Sequence, residues 1–143
     1  MTNFTNRLMV AAATLVVAAG VASAETLKAD IPFAFRVGGA TMSPGTYQVK
    51  VANSGTATSV LSLYSADTRQ SAIAVPIATH DVSSAVANAN RPVIAFECAG
   101  NRCSLQYVWD GKDRRSAYRF ATPKPGDEPS RIAVIEMHSA KGD

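Results

Sequence analysis

The two cysteines are the residues whose spacing most directly predicts chemistry. Cys98 and Cys103 are separated by Ala-Gly-Asn-Arg, and a pair this close is expected to form a disulfide in an oxidising compartment. If the four intervening residues form a hairpin loop, the two cysteines face each other across antiparallel strands, about 4.5–5.5 Å apart at Cβ. Redox and metal roles are the alternatives, but C-x4-C is not the C-x-x-C spacing that lowers a thiol pKa. We therefore predict a structural disulfide.

The hairpin also predicts which side chains share a face with the disulfide. Counting outward from the loop gives further cross-strand pairs, all on that face: Phe96 with Leu105 and Ile94 with Tyr107. Because these residues are apolar, the crosslink and the hydrophobic pattern agree on one buried face.

The histidines and serines do not predict an active site. His80 and His138 would need the fold to bring them together with Asp81 or Glu136, since no H-x-H or H-E-x-x-H motif is present. Ser83 lies near His80 in the sequence, but no G-x-S-x-G motif accompanies it. We predict no metal site and no nucleophilic serine.

Paired carboxylates and phosphate-binding loops are equally uninformative. Asp127 and Glu128 lie in a proline-rich segment that we expect to be solvated, whereas acid–base catalysis uses two carboxylates in contrasting environments. No G-x-G-x-x-G or Walker motif is present. The sequence therefore predicts a protein that is not an enzyme, with no catalytic residue and no cofactor.

Aromatic and basic residues near position 110 predict a different kind of site. Trp109 and Tyr118 flank Arg114 and Arg115, and an exposed aromatic platform there would stack on a sugar face or an aromatic ligand. The alternative is that Trp109 belongs to the core with Tyr107, whose predicted face it shares. Exposure of Trp109 thus separates a ligand-binding protein from an interaction module.

Charge argues against nucleic acid as a partner. The chain has 143 residues and a formal net charge of +3, with a sequence pI near 9.1. So small a net charge creates little steering field, and nucleic-acid binding would need more basic and aromatic residues on one strand face.

The N-terminus predicts export. Arg7 precedes an uncharged apolar run, Leu8 to Val21, and Ala22-Ser23-Ala24 offers a small-x-small cleavage site. A membrane anchor is the alternative, but the run is shorter than the roughly 20 residues that span a bilayer as a helix. We therefore predict a signal peptide over 1–24 and a mature chain, 25–143, without a transmembrane span in the periplasm or outside the cell.

Residues 25–143 predict one all-β domain. Apolar residues alternate over short runs that are separated by turn residues, which indicates about 7–8 antiparallel strands in a sandwich or a partly open barrel. The alternation places Ile31, Phe33, Phe35 and Val37 on one strand, and Ile73, Val75 and Ile77 on one face of another. The final strand, Arg131 to His138, lacks clean alternation, which favours cover on both sides. Asp81 to Asn90 and Thr122 to Ser130 are predicted surface loops; a short helix is the alternative for the first, because alanine favours a helix although serine and asparagine do not.

Two blocks of the chain resemble a group of small exported proteins. Ile31-Pro-Phe-Ala-Phe-Arg-Val through Pro44-Gly-Thr-Tyr47 is similar to the IPFxFxV…PGTY pattern of exported proteins of unknown function from acidobacteria and other soil bacteria. Val93 to Trp109 resembles the later hairpin of that group. The chain departs from the pattern at Met42-Ser43-Pro44, where Leu-Pro-Ala is usual, and by its cysteines at the hairpin tip. The resemblance implies a secreted β-domain and no catalytic residues.

These observations predict a secreted structural or protein-interaction module of the cell envelope that acts as a monomer. The first alternative is a carbohydrate-binding or other small-ligand-binding β-sandwich, and the second is a hydrolase without a recognisable motif. The predicted partner is an envelope protein or a polysaccharide.

Overall fold

A computed structural model describes residues 26–54, 58–112, 116–123 and 126–140. The predicted signal peptide lies outside these residues. The described chain is all-β: twelve strands form two sheets that do not close into a barrel, as expected for a β-sandwich. No helix among the described residues is long and apolar enough to cross a membrane.

The strands and the single helix of the described residues follow one another in this order: β1 (Leu27–Ile31), β2 (Phe35–Val37), β3 (Ala40–Met42), β4 (Gly45–Ser54), β5 (Thr58–Ser65), β6 (Gln70–Ala74), β7 (Ala78–Asp81), α1 (Ser84–Ala89), β8 (Val93–Ala99), β9 (Arg102–Trp109), β10 (Ser116–Arg119), β11 (Ser130–Glu136) and β12 (His138–Ser139). Sheet A has the order β12-β1-β4-β5-β6. Sheet B has the order β11-β8-β9-β10-β7, with β2 parallel to β9 and β3 beside β2.

The chain passes from sheet A to sheet B at Pro32. The sequence predicts one strand through Ile31 and Val37, but the structure divides it into β1 and β2, in different sheets. Proline has no N–H to donate to a strand ladder, which makes residue 32 a natural place for the break. The alternation survives it, because Phe33 and Phe35 still pack against the main core.

The main core lies between the two sheets. Its largest side chains are aromatic, and the Phe35 ring packs against Tyr47 and Phe96 with ring centroids 5.2 and 5.1 Å apart. These rings come from β2, β4 and β8, so they join the two sheets directly. Burial of such rings is the main source of stability in a sandwich of this size.

The disulfide closes the tip of the β8–β9 hairpin, as predicted. Cys98 and Cys103 are directly opposed, with a Cα–Cα distance of 4.0 Å, and both are buried in the main core. The Phe96–Leu105 pair is also confirmed. The half of the hairpin next to the loop therefore has the predicted register.

The far half of the hairpin is shifted by one residue. Ile94 lies opposite Val108, not opposite Tyr107 as the sequence predicts, because a bulge leaves Gln106 without a cross-strand partner. One extra residue moves every later side chain of that strand to the other face of the sheet. Tyr107 and Trp109 consequently point away from the main core.

Tyr107 and Trp109 build a second, smaller core on the outer face of sheet B. This core is covered by α1, where a surface loop was expected. Ser83 caps the helix by accepting a hydrogen bond from the Val86 N–H, and Asn90 ends it in the left-handed conformation with φ of 53°. The loop prediction was wrong here because these local caps and the underlying apolar surface stabilise the short alanine-rich helix.

The final long strand is also unlike its prediction. β11 is an edge strand of sheet B, and its outward side chains Ile132 and Val134 are exposed. The prediction that both faces of this strand are covered was wrong. The uninterrupted apolar run reflects an edge strand whose outward face lacks the usual polar residues.

Candidate functional site

The predicted ligand platform is not formed by Trp109. Its side chain is 1% exposed within the second core, so neither face of the indole is open to a ligand. Tyr118 is half-buried against the main core. Arg114 and Arg115 lie outside the described residues. A ligand site that uses these two arginines remains a prediction, without Trp109 as its stacking surface.

The histidines are placed on different sheets. His80 lies on β7 and stacks on Tyr107, with ring centroids 4.6 Å apart and an angle of 22° between the rings. His138 lies on β12 and pairs with Lys28 on β1. The described residues contain no group of histidine, cysteine, aspartate and glutamate side chains arranged to hold a metal ion.

The buried phenol of Tyr107 has a shifted pKa. Burial raises the pKa of its phenol above the ordinary value of 10.0 by desolvating the charged form. The partner stacked on it is the His80 imidazole, and Tyr107 itself belongs to the second core, with Arg119 as its cross-strand partner on β10. Such a group stabilises a core and needs no ligand to explain it.

The free edge of sheet A carries an exposed apolar stripe. Ile73, Val75 and Ile77 are 71%, 55% and 62% exposed, and we call these three residues the β6 stripe. Ile73 belongs to β6, which ends sheet A, and the other two follow it where the chain crosses to sheet B. Single exposed apolar residues are ordinary, whereas a row of them beside an unpaired edge is typical of interaction surfaces.

The register of sheet A explains why isoleucine points outward there. Leu61 and Leu63 on β5 are buried, and they lie opposite Ala74 and Ala72 on β6. Cross-strand partners share a face, so the alanines turn inward and Ile73 turns to solvent. Alternation in the sequence correctly places the isoleucines on one face, but the leucines of the neighbouring strand decide which face is covered.

The segment that carries the stripe is itself uncharged, while Arg69 precedes it and Arg119 pairs with Ala78 at its far end. Residues 70 to 79 contain no acidic or basic side chain. The exposed Tyr64 lies on the adjacent strand, opposite Ser71 and diagonal to Ile73. Natural edge strands are usually protected by lysine or by proline; here the protection is limited to Pro76, beyond the end of β6.

The usable edge has a defined end. The backbone N–H of Ile77 donates to the carbonyl of Arg119 at 2.8 Å, so residue 77 already pairs within sheet B. At the other end, the Gln70 side chain accepts a hydrogen bond from the Ser43 N–H at 2.8 Å. The open backbone edge therefore runs from Ser71 to Val75, about the length of a typical strand. A strand added there would lie beside Ile73 and Val75.

Searches against protein-family models, curated proteins and solved structures find no match to this chain.

Proposed function

We propose that the protein is an exported interaction module of the cell envelope that binds an extended segment of a partner protein along β6. The observation that carries this proposal is the β6 stripe: three large apolar side chains, each more than half exposed, of which Ile73 and Val75 lie along the unpaired edge of sheet A and Ile77 lies just beyond it. Addition of a strand to such an edge is a recurring mode of peptide recognition.

The chemistry of the edge defines the partner segment. Backbone hydrogen bonds to β6 would supply affinity without regard to sequence, and the β6 stripe would select apolar side chains at alternate positions. Because residues 70 to 79 are uncharged, a charged side chain of the partner placed against Ile73 or Val75 would lose hydration to apolar neighbours. The segment is therefore an uncharged strand of about five residues, rich in β-branched or aromatic side chains.

Burial of Trp109 supports this function over the ligand-binding alternative. A carbohydrate platform at that residue needs an exposed ring, and the indole is 1% exposed. The disulfide and the lack of a membrane-spanning helix among the described residues are compatible with an exported protein.

The test is capture of a partner from envelope extract by the oxidised protein, compared with two variants. Ile73→Lys places a charge in the β6 stripe, where it opposes an apolar partner. Ile132→Lys is the matched control, because Ile132 is also an exposed isoleucine on an edge strand, 47% exposed on sheet B. Both positions are solvent-facing, so each variant is expected to fold.

We expect one partner, identified by mass spectrometry, that wild type and Ile132→Lys retain and Ile73→Lys retains at least about tenfold less. A peptide from the partner's apolar strand should reproduce the binding. Equal retention by all three proteins would refute recognition along β6. Light scattering that shows β6-dependent dimers and no other partner would also refute it, since the occupant would then be a second copy.

A further inference from the structure

A polar cavity lies beside the disulfide on the outer face of sheet B. Its volume is about 250 Å³. The floor is formed by residues of β2, β8 and β9, and the wall by residues 122–123 and 126–128. The Thr122 hydroxyl donates to Glu97 Oε2 at 3.5 Å, which ties this wall to the floor.

Opposite charges stand at the two ends of the floor. Arg36 on β2 is the neighbour of Ser104 on β9, and Ser104 is the partner of Glu97 on β8. Cross-strand partners share a face, so the row presents a guanidinium, a hydroxyl and a carboxylate to the cavity. Adjacent strands are about 4.8 Å apart, which places the two ends roughly 10 Å apart at the backbone.

The other charged residues of the lining are also of both signs. Arg102 lines the cavity beside the first row, and Asp127 and Glu128 line the wall. Gly100 leaves room for the wall, because a Cβ there would lie 2.8 Å from Glu128 Oε2. Among the described residues, neither lining arginine forms an ion pair with these carboxylates. Both signs of charge therefore face the cavity, where Glu97 accepts a hydrogen bond from Thr122 but has no cationic partner in the part of the chain that the structure describes.

We propose that this cavity binds a small zwitterionic peptide of about two residues. Arg36 and Arg102 receive the carboxylate, Glu97 and the wall carboxylates receive the ammonium group, and the Ser104 hydroxyl meets the peptide amide between them. An extended dipeptide spans about 7 Å. The row is roughly 10 Å long at the backbone, and the Arg36 and Glu97 side chains reach inward to cover the difference. This site is separate from the proposed function, which uses β6 of the other sheet.

The size and lining exclude other ligand classes. A volume of 250 Å³ is below the roughly 300–1,000 Å³ of pockets that hold drug-sized molecules. The described lining residues include no aromatic side chain, so a sugar face or an aromatic ring has nothing to stack on. A simple anion would satisfy the arginines and leave the carboxylates unpaired.

The test is an NMR titration of the isotope-labelled, oxidised protein with glycylglycine. Two comparison ligands each remove one charge: N-acetylglycylglycine lacks the ammonium group, and glycylglycinamide lacks the carboxylate. Arg36→Gln and Glu97→Gln remove one charge from each end of the floor. Arg91→Gln and Glu136→Gln are the matched controls, because Arg91 and Glu136 form an exposed ion pair that is not part of the cavity lining.

We expect saturable shifts at the backbone amides of Ala99, Arg102 and Ser104. Each comparison ligand and each cavity variant should bind about tenfold more weakly, as expected from the loss of one charge-assisted hydrogen bond. The control variants should bind like wild type. Absence of saturation, shifts at other amides, or equal affinity for the three ligands would overturn the proposal. None of these outcomes depends on whether β6 binds a partner.

Discussion

Reduction of the disulfide is expected to lower the free energy of unfolding by about 2 kcal/mol. The crosslink joins residues with a sequence separation of 5, and the entropy of closing so short a loop in the unfolded chain gives this magnitude. The change is expected to lower Tm by roughly 8 °C for a domain of this size. Both cysteines are buried in the main core, so the two thiols remain there after reduction, and the measured loss includes the cost of moving the sulfur atoms apart as well as the entropy of the crosslink.

Urea denaturation with and without a reducing agent measures this difference. The variant Cys98→Ala/Cys103→Ala is the control, because its stability should not respond to the reducing agent. That variant should itself be less stable than the reduced wild type, since it also loses two buried sulfur atoms. A loss on reduction below about 0.5 kcal/mol would refute the loop-entropy reasoning. Complete unfolding on reduction would refute it as well, because the hairpin would then depend on the crosslink to form.

Three further predictions concern the second core and its helix. Trp109→Ala should lower the free energy of unfolding by about 3–5 kcal/mol because the buried indole fills that core; a loss below about 1 kcal/mol in urea would contradict its burial. Ser83→Ala removes the hydroxyl that accepts from the Val86 N–H and should cost about 1 kcal/mol, whereas Ser84→Ala, within the helix, should cost clearly less. Burial raises the pKa of Tyr107 above 10.0, so the stability from its neutral phenol is present below pH 10 and is lost as pH rises through the folded-state pKa. Tyr107→Phe should remove that alkaline loss in denaturation curves on both sides of pH 10; an unchanged loss would assign it to another group.

The β8–β9 hairpin shows which part of a strand register can be predicted from the sequence. Cys98 and Phe96 have their predicted partners because register near a tight loop follows directly from loop length. The bulge at Gln106 could not be predicted, since it depends on contacts made elsewhere: the Gln106 carbonyl accepts a hydrogen bond from the Phe120 N–H. This one extra residue moves both Tyr107 and Trp109 to the face of the sheet opposite to the predicted one.

For the candidate binding edge, the sequence predicts which side chains share a face but not whether that face is exposed. Alternation identifies Ile73, Val75 and Ile77 as one face, but it contains no information on whether that face is covered. Coverage follows from the register with β5, where buried leucines oppose the alanines, and from the position of β6 at the end of sheet A. Both facts are long-range, so the short sequence pattern could not supply them.

The polar cavity was missed for a related reason. Arg36 and Glu97 are far apart in the sequence. They line the same cavity only because the chain changes sheets at Pro32, which brings β2 alongside β9. The sequence does show Asp127 and Glu128 in a proline-rich segment, but their place in the cavity wall depends on how that segment folds back over the sheet.

Amide hydrogen exchange along β6 measures directly whether a partner strand pairs with this edge. In the free protein, the backbone amides of Gln70–Ala74 that point away from β5 should exchange rapidly, because they have no strand partner. In the complex with the captured partner, those same amides should become protected, and Ile73→Lys should abolish the protection. Protection that develops on β11 or at the polar cavity, with β6 unchanged, would contradict recognition along the free edge of sheet A.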